Sequence, residues 1–180
     1  MTTLMKLKFQ PAQSHQAGAI ADLVNRAYRG EVSKLGWTTE ADLLDGIRTS
    51  PSAISEIINS GDEYLLTADH QGELVGCCLI SRYSPTDAYV GMVSVKPNQQ
   101  GQQLGRQLLA QAELVAQSHF KATHTRMTVI SVRAELIAWY ERRGYIQTGE
   151  REPFPMDDPR FGIPKVSFLE FIVLRKQLSL

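Results

Sequence analysis

The fold of this chain turns on one stretch, Val93-Ser94-Val95-Lys96-Pro97-Asn98-Gln99-Gln100-Gly101-Gln102-Gln103-Leu104-Gly105-Arg106-Gln107-Leu108-Leu109. A β-branched run ends at Lys96-Pro97, a loop rich in Gln and Gly follows, and Leu104 and Leu108 open a helical stripe. A junction of this kind aims several free backbone N–H groups at one spot, with the positive end of the helix dipole behind them. It suits a pyrophosphate, and Gly101 and Gly105 let the backbone approach such a ligand closely. The same residues also fit a glycine-containing loop that merely opens a helix. Two other phosphate loops are excluded. No Lys-Ser or Lys-Thr follows the glycine, as a nucleoside-triphosphate loop requires. There is no Gly-x-Gly-x-x-Gly, and the strand before the loop belongs to a meander rather than a βαβ unit.

Outward from this junction the hydrophobic period alternates between two and 3.6 residues. Upstream, Glu63 to Ala68, Glu73 to Ser81 and Ala88 to Val95 read as strands, broken by Gln71-Gly72 and by Ser84-Pro85-Thr86-Asp87. Connections this short predict an antiparallel meander. Downstream, Gln103 to Phe120 is helical, Thr125 to Ile130 is a strand, and Arg133 to Arg143 is a helix stopped by Gly144. Leu136, Ile137 and Tyr140 form its inward face. Strands at Tyr145 to Thr148 and Phe168 to Leu174 flank a Pro-rich loop, Glu152 to Lys165. At the other end, Lys6 to Gln10 alternates as a first strand, and Ser14 can cap a helix carrying Ile20, Leu23, Val24 and Ala27. Thr39 and Asp42 resemble a cap ahead of a short apolar stripe at Leu43, Leu44 and Ile47. Pro51 opens a further helix with Ile54, Ile57 and Ile58 on one face. With no repeat, low-complexity tract or linker, residues 1–180 are predicted to form a single α/β domain, one mixed sheet covered by helices.

Composition bounds the function. The chain has 180 residues, 43% hydrophobic and 21% charged, which argues against disorder. Lys plus Arg and Asp plus Glu number 19 each, so no cationic excess supports a broad nucleic-acid surface. No apolar run approaches the roughly 18 residues that span a bilayer, so no membrane partner is expected. The opening MTTLMKLKFQ has no extended apolar segment of a secretory signal. Cys77 and Cys78 are adjacent, so on a strand they point to opposite faces and read as core residues. Scattered histidines and the absence of Cys-x-x-Cys leave no metal-site spacing, and no metal is expected. A reducing, cytoplasmic setting follows from these features; a homodimer is left open.

At this point the sequence resembles the Gcn5-related N-acetyltransferase (GNAT) family. The family's acetyl-CoA loop reads Arg/Gln-x-x-Gly-x-Gly/Ala after a strand ending Val-x-Pro. Here it becomes Gln100-Gly101-Gln102-Gln103-Leu104-Gly105 after Val95-Lys96-Pro97, with Gln103 replacing the usual middle glycine. A second family signature, a strand followed by a helix ending Tyr-Glu-Lys-x-Gly-Phe, is matched by Met127 to Ile130 and by Trp139-Tyr140-Glu141-Arg142-Arg143-Gly144-Tyr145. The resemblance implies a mostly antiparallel sheet of about seven strands, helices on both faces, and two splayed central strands. It implies acetyl-CoA as donor, held by backbone of Val93, Ser94 and Val95 and by the loop Gln100, Gly101, Gln102, Gln103, Leu104, Gly105 and Arg106. Arg133 stands where the family often has Asn, and it suits a cofactor phosphate or an acidic substrate.

The implied reaction is direct acetyl transfer to an amine of a small molecule or peptide. Tyr140 falls where the family often has a tyrosine near the thioester sulfur; the alternative is a core tyrosine completing the Leu136/Ile137 face. An amine with an ordinary pKa near 10.4 is almost wholly protonated at neutral pH, so a base or a water chain must take its proton. No acid lies in Ala88 to Val95; Glu31, Glu40, Asp42 and Glu63 are candidates by position. Tyr28, Trp37 and Thr38 lie where the family builds its acceptor pocket, and Glu152 to Lys165 reads equally as a lid or pocket wall, a dimer contact or a connector. The alternatives to an acetyltransferase are an acetyl-CoA-binding sensor of the same fold and, less favoured by the phosphate motifs, a nucleotide-binding regulator.

Overall fold

The computed structural model describes residues 4–179, so the first three residues of the N-terminal stretch lie outside it. In chain order it contains β1 (Lys8–Pro11), α1 (Ala17–Tyr28), α2 (Gly30–Ser33), β2 (Leu44–Asp45), α3 (Pro51–Ser60), β3 (Glu63–His70), β4 (Glu73–Arg82) and β5 (Asp87–Val95). There follow α4 (Leu104–Ser118), β6 (His124–Ile130), α5 (Ala134–Glu141), β7 (Ile146–Pro153), β8 (Ile163–Pro164) and β9 (Glu170–Gln177). Seven strands form one sheet in the order β1-β3-β4-β5-β6-β9-β7. Every neighbouring pair is antiparallel except β5 and β6. This is the mixed, mostly antiparallel sheet that the sequence predicts.

The period-two alternation sorts side chains onto the two faces. Cys77 packs with Ile20, Val24 and Ile54, under α1 and α3. Its neighbour Cys78 packs with Leu108, Ala112 and Ile137, under α4 and α5. Helices therefore cover both faces, and each cysteine is sealed in a separate core. Among the described residues no helix is long and apolar enough to cross a membrane.

Two features of β5 shape the centre of the sheet. First, β5 pairs with β6 only over Asp87–Tyr89 against His124–Arg126, after which the two strands diverge. Second, β5 carries a bulge against β4. Leu79 faces Gly91 and Cys77 faces Ser94, leaving Met92 and Val93 without a partner in either neighbouring strand. Met92 sits there with φ 53°, a left-handed conformation rare for a residue with a side chain.

Two expectations need correction. The stripe at Leu43, Leu44 and Ile47 is not a helix: Leu44–Asp45 pairs as a short strand with Ile163–Pro164, and the Lys165 N–H donates to Leu43 O at 2.9 Å. Pairing with a distant segment outweighs a weak local stripe. The Pro-rich segment is also more ordered than a loop. β7 runs on to Pro153, a 3-10 turn covers Pro159–Phe161, and β8 follows. The resulting ribbon of β2 and β8 sits over a small core of Leu44, Ile130, Phe154 and Leu169.

Candidate active site

The divergence of β5 and β6 opens two cavities that meet at the gap. The smaller, of about 160 Å³, lies against the loop that opens α4 and is lined there by Gln100, Gly101, Gln103, Gly105 and Arg106. Gln103 takes φ 61° and caps the helix without a side-chain hydrogen bond. The Gln107 N–H is the first to bond back along α4, to Gln103 O, so those of Leu104, Gly105 and Arg106 find no main-chain acceptor. No acidic residue occupies the first turn. Gly101 has φ 87°, and a Cβ built on it would meet nothing within 4 Å, so open space lies beside the loop. Arg143 flanks the cavity, stacked 3.6 Å over the Trp139 ring, with its Nε buried and unpartnered. Free N–H groups, a helix dipole and two arginines form a donor set that fits a pyrophosphate.

Within the predicted loop the side chains do different work. Gln102 is exposed. Leu104 is buried in the core and contributes its main chain only. Gln100 turns back: its Oε1 accepts from the Trp37 N–H at 2.9 Å, and its Nε2 donates to Thr38 Oγ1 at 2.8 Å and Val95 O at 3.2 Å. A Cβ on Gly36 would overlap Gln100 Oε1, so only glycine admits this contact. Val93 and Val95 line the cavity, whereas Ser94 is buried with its hydroxyl on Met92 O at 3.0 Å.

Tyr140 is 6% exposed and lines both cavities, as do Tyr28, Val93 and Leu136. Its ring is fixed edge-on between Trp139 and Tyr145, with centroids at 5.0 and 5.7 Å. Burial, reinforced by nearby Tyr28, pushes its hydroxyl pKa well above the ordinary tyrosine value. Tyr28, on the opposite wall, donates its hydroxyl to Val93 O, at the bulge.

The larger cavity, of about 550 Å³, lies beyond the gap. Arg29, Glu40, Arg48 and Arg133 line it together, with Glu152, Phe154 and Phe161 from the Pro-rich segment. Arg29 Nη1 lies 2.5 Å from Glu40 Oε2, Arg133 Nη1 3.1 Å from Glu40 Oε1, and Arg48 Nη1 3.7 Å from Oε2. Burial alone would raise the Glu40 pKa, but Arg48, Arg133 and Arg29 outweigh it and hold the carboxyl below the usual carboxylate range. Arg133, expected at a cofactor phosphate or an acidic substrate, lines this cavity and not the smaller one, because Glu40 and Thr38 O take up its guanidinium. Trp37 and Thr38, expected at the acceptor, line the smaller cavity, with Trp37 6.0 Å from Trp139. Of the proposed bases only Glu40 reaches either cavity. Arg29, Arg48, Arg126, Arg143 and Glu152 have no local signature in the sequence. They converge from separate segments, and the one available hint was the charge of Arg133 where a neutral residue is usual.

The acetyltransferase (GNAT) domain family matches residues 44–154, well over half of the chain. The chain therefore belongs to the GNAT acetyltransferase family. Solved structures share its fold. The ribosomal-protein-S18-alanine N-acetyltransferase of Escherichia coli superposes with a TM-score of 0.71 at 13% identity, over 97% of this chain and 96% of that one. An N-acetyltransferase of Staphylococcus aureus Mu50 gives 0.70 at 11% identity, over 96% and 97%. A GNAT family acetyltransferase of Elizabethkingia anophelis, solved with acetyl-CoA bound, gives 0.62 at 15% identity, over 96% and 98%. No curated protein matches the sequence.

Proposed function

We propose that the protein is an acetyl-CoA-dependent N-acetyltransferase that moves an acetyl group directly to an amine, with residues 1–180 acting as one domain. The observation that carries this reading is the meeting of two cavities at Tyr28, Val93, Leu136 and Tyr140. A donor anchored in one and an acceptor in the other share a reacting point only there. The donor, when bound, supplies an acetyl group activated as a thioester.

The free N–H groups of Leu104, Gly105 and Arg106 hold the donor's pyrophosphate, and Gly101 gives it room. Arg106 and Arg143 add charge. The β6-facing edge of β5 beyond Tyr89, which has no strand partner, is the main chain offered to the pantetheine amides, as an added strand would use it; Val93 O and Met92 O already accept from the Tyr28 and Ser94 hydroxyls. Tyr140 keeps its proton at neutral pH and presents it to the departing sulfur. Its raised pKa exceeds that of a thiol, near 8.5 in water, so the hydroxyl acts chiefly as a hydrogen-bond donor that relinquishes its proton late. Glu40 is a poor base, being held by Arg29 and Arg133 at hydrogen-bond distance; Glu152, on the acceptor wall and only at long range of Arg126, 3.8 Å, is the carboxylate left to take the amine's proton through water. Phe154 and Phe161 limit water at the junction. Covalent catalysis by cysteine is disfavoured: burial pushes the Cys77 thiol up to about 12 and raises Cys78 as well.

Two measurements test the reading. Acetyl-CoA should raise the melting temperature, and thiol release should be detected with at least one member of an amine panel. Stabilisation without turnover on any amine would favour the sensor reading, and no stabilisation would remove acetyl-CoA from the account altogether.

A further inference from the structure

The arginines around Glu40 are not equivalent. Both terminal nitrogens of Arg29 are engaged, Nη1 on Glu40 and Nη2 on Phe161 O at 3.2 Å, and only its Nε lacks a partner. Arg133 is engaged likewise, on Glu40 Oε1 at 3.1 Å and Thr38 O at 2.5 Å. Their side chains are 4% and 8% exposed, whereas that of Arg48 is 30% exposed. Arg48 has no comparable partner. Its approach to Glu40, 3.7 Å, is too long for a hydrogen bond, and its Nε is buried with no partner. Its guanidinium lies 4.3 Å over the Tyr28 ring, on the cavity wall. Nor does any other carboxylate of the wall pair with Arg48. The other lining carboxylate, Glu152, lies 3.8 Å from Arg126, which also holds Glu150 at 2.8 Å.

A guanidinium that meets Glu40 only at ion-pair range, and makes no hydrogen bond to it, keeps its donors free for a second anion in the cavity. Its planar fork matches a carboxylate or phosphinate through two parallel hydrogen bonds. Cationic acceptors, such as polyamines, would meet like charge here. We infer that the acceptor is a small amine that also carries an oxyanion, of carboxylate or phosphinate type, and that Arg48 binds this oxyanion. The inference rests on the acetyltransfer reading and narrows its acceptor. A cavity of about 550 Å³ suits a small molecule. Only the Tyr28 ring separates Arg48 from Val93 O at the junction, so oxyanion and amine lie a short chain apart. The same cationic surroundings disfavour the ammonium form and favour the reactive free amine.

The test uses matched pairs in a thiol-release assay with saturating acetyl-CoA. Each pair is an α- or ω-amino acid and its uncharged amide, with aminoalkyl phosphinates as a separate arm. For α-amino acids the amide has the less basic amine, so preference for the acid cannot come from amine protonation. We expect at least one acid to exceed its amide in kcat/KM by about 100-fold, the usual scale for a charged hydrogen-bonded contact. In Arg48→Gln that ratio should fall to near one through the KM of the acid, with the KM of acetyl-CoA unchanged. Arg48→Lys, which keeps the charge without the fork, should recover part of it. Which arm responds, carboxylates or phosphinates, identifies the oxyanion. An enzyme stabilised by acetyl-CoA that acetylates amides or plain alkylamines as well as acids, or none of the acids, overturns the inference and leaves acetyl-CoA binding in place. Failure of acetyl-CoA to stabilise the protein instead overturns the reading beneath it. If Arg48→Gln does not fold, the acid-to-amide ratio of the unmodified protein still decides.

Discussion

Tyr140 holds a hydroxyl at the place both cavities share, and its surroundings set what that hydroxyl can do. Tyr140→Phe keeps the edge-on packing with Trp139 and Tyr145 and removes only the oxygen. Turnover should fall about 10- to 1000-fold while acetyl-CoA affinity holds, read by steady-state kinetics and by thermal shift. Full activity would return the residue to the core. Gly101→Asp places a negative charge in the open space beside the helix start. Stabilisation by CoA should vanish while the uncomplexed fold survives, and unchanged stabilisation would sink the loop assignment. Gly36→Ala tests a subtler dependence. A methyl there displaces Gln100, whose amide ties residues 37 and 38 to the loop. About 1–2 kcal/mol of stability should be lost, with a weaker apparent affinity for acetyl-CoA.

At the scale of elements, the closed end of the β5–β6 gap is held by charge. Asp87, at the first residue of β5, accepts from Arg175 Nε at 2.7 Å and Nη2 at 2.8 Å, bridging to β9 across β6. These bonds outweigh burial and bring the Asp87 pKa down to about 2. Its ordinary value is about 3.9, so the folded state binds the proton less well than the unfolded one. The stabilisation is therefore complete above about pH 4 and is lost as pH falls toward 2. Asp87→Asn should lower stability at pH 7 by about 1–2 kcal/mol, discounted for the partly exposed Arg175. It should also flatten the acid limb of a denaturation series, and an unchanged limb would assign acid sensitivity elsewhere. Long elements such as α4, α5 and β3 to β5 were legible from the sequence because each carries its own period. β2 and β8 were not, since strands of two residues have no period and exist only through each other. The loop motif and Tyr140 could be proposed from the sequence because neighbouring residues encode them. Glu40 and Arg133 were picked out singly, but their meeting with Arg29 and Arg48 comes through tertiary packing, so no spacing announces the cluster.

Across the whole molecule, the proposed donor and acceptor sides are built by different means. The loop opening α4 is continuous with the central sheet. The acceptor wall is assembled from distant segments, joined by the β2–β8 ribbon and by Arg29 on Phe161 O. Changes on that wall should therefore alter the acceptor alone. Phe161 is 48% exposed, so Phe161→Ala should raise the acceptor KM about five- to tenfold, with the acetyl-CoA KM unchanged. A matched rise in both would mean that the two sides are mechanically coupled. The open end of the β5–β6 pair bears on that coupling. Met92 and Val93 lack cross-strand partners, and Met127 to Ile130 are unpaired on the β5 side. The uncomplexed sheet thus has a seam along its middle, bordered by backbone groups that exchange hydrogen with water readily. Filling that seam with donor should slow amide exchange at these residues and leave the far edge, β1 against β3, unaffected. The sheet would then alternate between an open-seamed and a completed form in each catalytic cycle, its rigidity supplied in part by a substrate it releases.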